Sequence, residues 1–186
     1  MTTIAPFGSW ISPLSAADAS AAAARYDGAR FVGAEVWWGE TLPDEAGRSS
    51  VRRAIGEAVE DVLPAPWSAR SRVHEYGGGS WTADDDGRLF FVEKTDQRVW
   101  TMRPGEQPVP LTPEDPGARH GGLRWQNGTL LAVREVHDDA PVPRRSVVSI
   151  SLDGTEVREL VAGSDFLAQP ALSPDGRRLA WVAGDH

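Results

Sequence analysis

The chain is 186 residues long, enough for one domain with a sizeable core. Its formal net charge of −8 leaves no basic stripe to hold phosphates, which argues against a nucleic-acid partner. Cysteine is absent, so disulfides and thiolate chemistry are excluded and a cytoplasmic location is compatible, while Met1 to Pro13 lacks the basic start and long apolar run of a signal peptide or membrane span.

Residues 1–28 read as an N-terminal extension with one short α-helix. Ser15 is placed to cap a backbone N–H, and Asp18 follows three residues later, where its charge suits a helix N-terminus. Ala19 to Arg25 continues the helix, and Asp27-Gly28 reads as its stop. A helix this short is marginal in water and needs a surface to dock on. That surface is either the rim of the following domain or a separate domain.

Residues 29–186 repeat one small all-β unit. A degenerate first copy from Ala29 to Leu63 carries Val36-Trp37-Trp38 and a Gly56-centred turn. The second runs from Gly79-Ser80-Trp81-Thr82-Ala83 through the turn Asp84-Asp85-Asp86-Gly87 to Leu89-Phe90-Phe91-Val92-Glu93. Arg98-Val99-Trp100-Thr101-Met102 and a Pro-punctuated strand around Val109–Thr112 complete it. The third places Leu123-Arg124-Trp125 and Thr129–Val133 on either side of Asn127-Gly128, then Val147–Leu152 and Glu156–Leu160 around Asp153-Gly154. The fourth begins at Ala171-Leu172-Ser173-Pro174-Asp175-Gly176 and shows two strands. Asn-Gly and Asp-Gly suit tight hairpins because both central positions need positive φ. The pattern predicts an all-β fold, a partial β-propeller of about three and a half four-stranded blades. The blade limits are about 29–66, 74–113 and 117–165, with a truncated blade over 166–186. Closed propellers need about four to eight blades, so the repeat count predicts a piece of a larger protein. Of the eight tryptophans, Trp81, Trp100, Trp125 and Trp181 are expected to pack between blades.

The run Arg72-Val73-His74-Glu75-Tyr76-Gly77-Gly78-Gly79 is the most distinctive in the chain. Together with Ile11-Ser12-Pro13-Leu14, Asp61-Val62-Leu63-Pro64-Ala65-Pro66-Trp67 and Leu172-Ser173-Pro174-Asp175-Gly176, it resembles the prolyl oligopeptidase family, in its acylaminoacyl-peptidase and dipeptidyl aminopeptidase branch of bacteria. The resemblance implies an N-terminal β-propeller followed by a C-terminal α/β-hydrolase domain that holds the Ser-Asp-His triad. It also implies that the propeller restricts substrate access to short peptides. No catalytic residue is assigned to this chain: Gly78-Gly79-Ser80-Trp81-Thr82 fails the Gly-x-Ser-x-Gly pattern at its last position, and Ser80 leads into a hairpin rather than a strand-to-helix turn.

Other chemistry finds little support. His74, His120, His137 and His186 lack metal-ligand spacing, and Asp84-Asp85-Asp86-Gly87 lacks the rest of a calcium loop, so no metal is expected. Gly77-Gly78-Gly79 has no Walker lysine after it and reads as close backbone approach to an inner strand; no cofactor is expected. His74, Glu75 and Tyr76 are the candidate substrate-access residues, with fixing of their own loop as the competing role.

Two functions follow from the sequence. The first is the propeller part of a serine peptidase of short peptides, inactive alone and partnered by the hydrolase domain. The second is a stand-alone interaction module, completed by self-association through open blade edges. A gene fragment without function is a third reading, against which cooperative unfolding would count.

Overall fold

Turn chemistry sets out the strands. Asn127 and Gly128 both adopt left-handed φ values, 50° and 73°, and join two strands in a tight hairpin. Gly56 and Gly176 turn the first and fourth copies with a single left-handed residue each, at φ 59° and 69°. The computed structural model describes residues 4, 6–9, 13–15 and 23–186. Strands β1 (Arg25–Val32), β2 (Glu35–Leu42), β3 (Arg48–Ile55) and β4 (Ala58–Asp61) pair in sequential order. So do β5 (Trp81–Ala83), β6 (Leu89–Val92), β7 (Val99–Met102) and β8 (Val109–Pro110). The third sheet holds β9 (Ala118–Gln126), β10 (Thr129–Val136), β11 (Arg144–Ile150) and β12 (Val157–Ala162). A two-stranded sheet of β13 (Phe166–Leu172) and β14 (Leu179–Gly184) follows. All pairings are antiparallel meanders, and the first strands β5, β9 and β13 neighbour one another. The chain is therefore all-β, a partial β-propeller.

Strand periodicity explains how consecutive blades share a core. Side chains alternate across a strand, so a central strand serves both faces of its sheet. Leu89 and Phe91 of β6 join Val32, Trp37 and Val51 of the first sheet. Phe90 and Val92 point the other way, into a core with Leu130, Ala132 and Val148 of the third sheet. All four residues of β6 are consequently buried. A third cluster, Val73, Val133, Val147 and Leu167, joins the third sheet to β13. Burying one such large apolar side chain stabilises by about 1.5–3 kcal/mol, so the second and third sheets carry most of the hydrophobic stabilisation.

The structure corrects three sequence-based expectations. The helix predicted from Ser15 to Arg25 falls mainly on residues outside the described ones, but Arg25 already belongs to β1, and Asp27-Gly28 forms a bulge there rather than a helix stop. The inner strand of the third sheet begins at Ala118, because Arg119, His120 and Gly121 pair with β10 although they lack an apolar alternation. Trp181 is 41% exposed, since β14 is the outer strand of its pair and one face meets no further sheet among the described residues. Trp81, by contrast, lies in the first inter-blade core, while Trp100 and Trp125 pack against the first and second.

Candidate functional site

The segment from Arg72 to Gly79 leads from the first blade into β5. Its backbone turns sharply: Glu75 N donates to Arg72 O at 3.0 Å and Gly77 N to Val73 O at 2.9 Å. Five of the six residues from His74 to Gly79 have left-handed φ values: 56° at His74, 68° at Glu75, then 75°, 128° and 56° at Gly77, Gly78 and Gly79. The last glycine is dictated by space as well as by φ. A Cβ on Gly79 would lie 2.7 Å from Gly122 Cα, so the entrance to β5 touches the bulge of β9 backbone to backbone.

His74 and Glu75 carry side chains in a conformation that L-residues disfavour, so the surroundings must hold them there. The holding group is Glu135 of β10, only 1% exposed. Its Oε2 accepts the His74 backbone N–H at 3.2 Å. Its Oε1 takes two charge-assisted contacts from Arg145, 2.8 Å from Nε and 2.6 Å from Nη2. His137 Nε2 approaches Oε2 at 3.3 Å but is not aligned to donate. Arg119 bridges outward, donating to Glu75 Oε1 at 2.6 Å and to Arg72 O at 3.3 Å. Arg145 also donates to Asp165 O and lies over the Phe166 ring, 5.1 Å from its centroid. One buried carboxylate thus ties the distinctive loop to the third and fourth blades.

The three sequence-predicted residues fare differently. The His74 ring sits between Tyr76 and Phe166, with centroids 5.7 and 5.3 Å away. Burial, and then the nearby Arg145, hold its imidazole below the ordinary value, so it is neutral at pH 7. Tyr76 presents its ring outward, 79% exposed. Glu75 turns away to Arg119, whose hydrogen bond holds its carboxyl below the usual carboxylate range. His74 and Tyr76 line one cavity of about 400 Å³ beside Gly77–Gly79, Gly122 and Arg124; Glu75 does not. A larger space of about 920 Å³ opens on the other side of the same loop, where Tyr76, Gly78, Ser80 and Trp81 meet β1–β3. Ser80 Oγ is occupied in donating to Ala69 O at 3.1 Å.

Sequence reasoning missed Glu135, Arg145 and Arg119. Glu135 shows only as an ionic residue inside the β-run of Thr129–Val136, and Arg119 and Arg145 as charges near the starts of β9 and β11, none of which a sequence alone distinguishes from a solvated strand edge. A second buried polar group stands nearby. His120 of β9 is 3% exposed, and its Nδ1 lies 3.0 Å from Gln97 O, which fixes Nδ1 as the protonated nitrogen because a carbonyl only accepts. Desolvation pushes its pKa down to about 4.

No protein-family model matches the chain, and no curated protein does. Solved structures do. A puromycin-hydrolyzing peptidase of Mycobacterium tuberculosis is 39% identical over 100% of this chain, with a TM-score of 0.85. Puromycin hydrolase shares 36% identity over 100% of the chain, with a TM-score of 0.82. A mutant of puromycin hydrolase complexed with PGG shares 36% over 98%, also at 0.82. The matches cover only 31–32% of those proteins, so the chain spans about a third of their length. Identity of this level along the whole chain, on a series of propeller blades, shows that the chain belongs to the prolyl oligopeptidase family, as its N-terminal β-propeller part.

Proposed function

We propose that the chain is the propeller part of a two-domain peptidase and limits which substrates reach an α/β-hydrolase domain. The observation that carries this reading is the whole-chain likeness to puromycin-hydrolyzing peptidases. Short peptides and aminoacyl amides such as puromycin are the substrate class. His74 and Tyr76, placed beside the cavity at the entrance to β5, face the incoming substrate; Glu75 orders the same loop through Arg119. Hydrolysis itself, by a Ser-His-Asp triad and oxyanion hole, belongs to the partner domain. The protein is proposed to work in the cytoplasm; no helix among the described residues is long and apolar enough to cross a membrane.

The test joins this chain to the α/β-hydrolase part of the mycobacterial relative. The fusion should hydrolyse puromycin and short peptides and spare a long unfolded polypeptide. Equal cleavage of long and short substrates would sink the access role.

A second reading has its own observation. Tyr26, Phe31, Val36 and Val59 are exposed in the first sheet, as are Trp181 and Val182 in β14. Apolar blade faces of this kind favour pairing, so self-association through them is the alternative. Sedimentation separates the two: a discrete dimer supports pairing, and a monomer at tens of micromolar argues against it.

A further inference from the structure

The bulges of the inner strands share one conformation. β1, β9 and β13 each carry a bulge, and each bulge holds a left-handed residue: Gly28 at φ 52°, Gly122 at 57° and Gln169 at 50°. Glycine meets that demand twice without strain. The third position is a glutamine followed by Pro170, and proline further narrows the residue before it. A side chain held left-handed is strain that glycine would remove, and strain of this kind marks functional positions.

The Gln169 side chain, moreover, has no hydrogen-bonding partner among the described residues. The residue is exposed. It lines the cavity of about 400 Å³ with His74, Tyr76 and the glycine run. Gly78 and Gly79 line it too. The carbonyls of Gly78 and Gly79 accept from Gly122 N at 3.0 Å and Leu123 N at 2.8 Å, yet the N–H groups of Gly78 and Gly79 reach no protein acceptor among the described residues. Free main-chain donors, a free amide that both donates and accepts, and a nearby Arg124 make a lining that recognises acceptor oxygens. Its neutral members, with His74 uncharged, fit a peptide backbone better than a multiply charged anion.

We propose that Gln169, with the N–H groups of Gly78 and Gly79, forms a subsite that binds the main chain of a short peptide. The glycine N–H groups donate to peptide carbonyl or carboxylate oxygens, and the Gln169 amide pairs with an adjacent peptide group. The proposal rests on the propeller reading above and adds to it the residues that hold the substrate.

The experiment titrates the isotopically labelled chain with trialanine and with trialanine amide, following backbone and side-chain amide resonances. Both peptides should shift Gly78, Gly79 and the Gln169 side-chain amide. A stronger response to the free acid assigns the contact to the carboxylate, and equal responses assign it to internal carbonyls; either supports the subsite. Gln169→Gly should weaken trialanine binding by about tenfold, roughly one lost hydrogen-bonding amide. Its Tm should stay the same or rise by about 1–4 °C as strain is relieved. Gln169→Asn, which keeps an amide and tolerates the left-handed conformation, should retain most of the binding. Absent shifts at these groups, wild-type affinity in Gln169→Gly, or a Tm lowered by that change would overturn the proposal. Selective hydrolysis by the fusion with no peptide response at Gln169 would remove this subsite and leave the propeller reading intact.

Discussion

Acidification should destabilise this protein in large part through His120, beside smaller contributions from His74 and from carboxylates such as Glu75 whose folded pKa is depressed. His120 is buried, keeps Nδ1–H on the Gln97 carbonyl, and has no hydrogen-bond partner for Nε2 among the described residues. Charging it means placing a proton on an unsolvated nitrogen, so its folded pKa falls from 6.5 to about 4. The unfolded chain therefore binds the proton first as pH drops. The stabilisation is complete above pH 6.5 and is lost progressively between 6.5 and about 4. Between pH 7 and pH 5 the linkage amounts to about 2 kcal/mol, a large part of a typical domain's stability. Glu93 acts in the opposite sense, because burial raises its carboxyl pKa and favours the folded state in acid. A comparison with His120→Asn removes that contribution, since Glu93 is common to both proteins. Asparagine retains a donor for the Gln97 carbonyl and does not titrate. Urea denaturation followed by tryptophan fluorescence at pH 7 and pH 5 gives the double difference. Wild type should lose about 2 kcal/mol more than His120→Asn. Identical pH dependence in the two proteins would refute the reasoning.

Other perturbations follow from the same packing. Glu135→Ala leaves the Arg145 charge without its buried partner and should cost about 3–5 kcal/mol in urea denaturation, with the His74 amide losing hydrogen-exchange protection. Gly79→Ala pushes a methyl group to within 2.7 Å of Gly122 Cα at φ 56°, and should lower stability by about 2 kcal/mol or more. Phe90→Ala empties the core shared by the second and third blades, beside the stacked Trp125, and should cost about 3–5 kcal/mol. Arg119→Ala removes the hydrogen bond that depresses the Glu75 carboxyl, so an NMR titration should show that pKa rising toward the ordinary value, with little change in Tm.

What was legible in the sequence was local chemistry. Asn127-Gly128 and the Gly56 and Gly176 turns encode hairpins in two or three residues, and β6 declares itself by four large apolar residues between two turns. The glycines after Tyr76 pointed to close backbone approach, and Gly79 against Gly122 is that approach. What stayed hidden depends on partners distant in the chain. Glu135 becomes the anchor of the His74 loop only through a pairing 61 residues apart, which no local pattern carries. The extra length of β9 was masked because Arg119 and His120 find their acceptors on other elements rather than following an apolar alternation. Trp181 resembles Trp81 in its own strand, yet its burial depends on a neighbouring sheet and not on the residue. The left-handed Gln169 gave no signal at all, because glutamine is not a residue from which positive φ is expected.

The division of labour between propeller and hydrolase is tested most directly by treating the purified chain with a fluorophosphonate probe and measuring its puromycin hydrolysis alongside. The account predicts no labelled serine in this chain and no turnover above the uncatalysed background. Turnover of puromycin together with stoichiometric labelling of Ser80, or of any serine between Arg25 and His186, would contradict it.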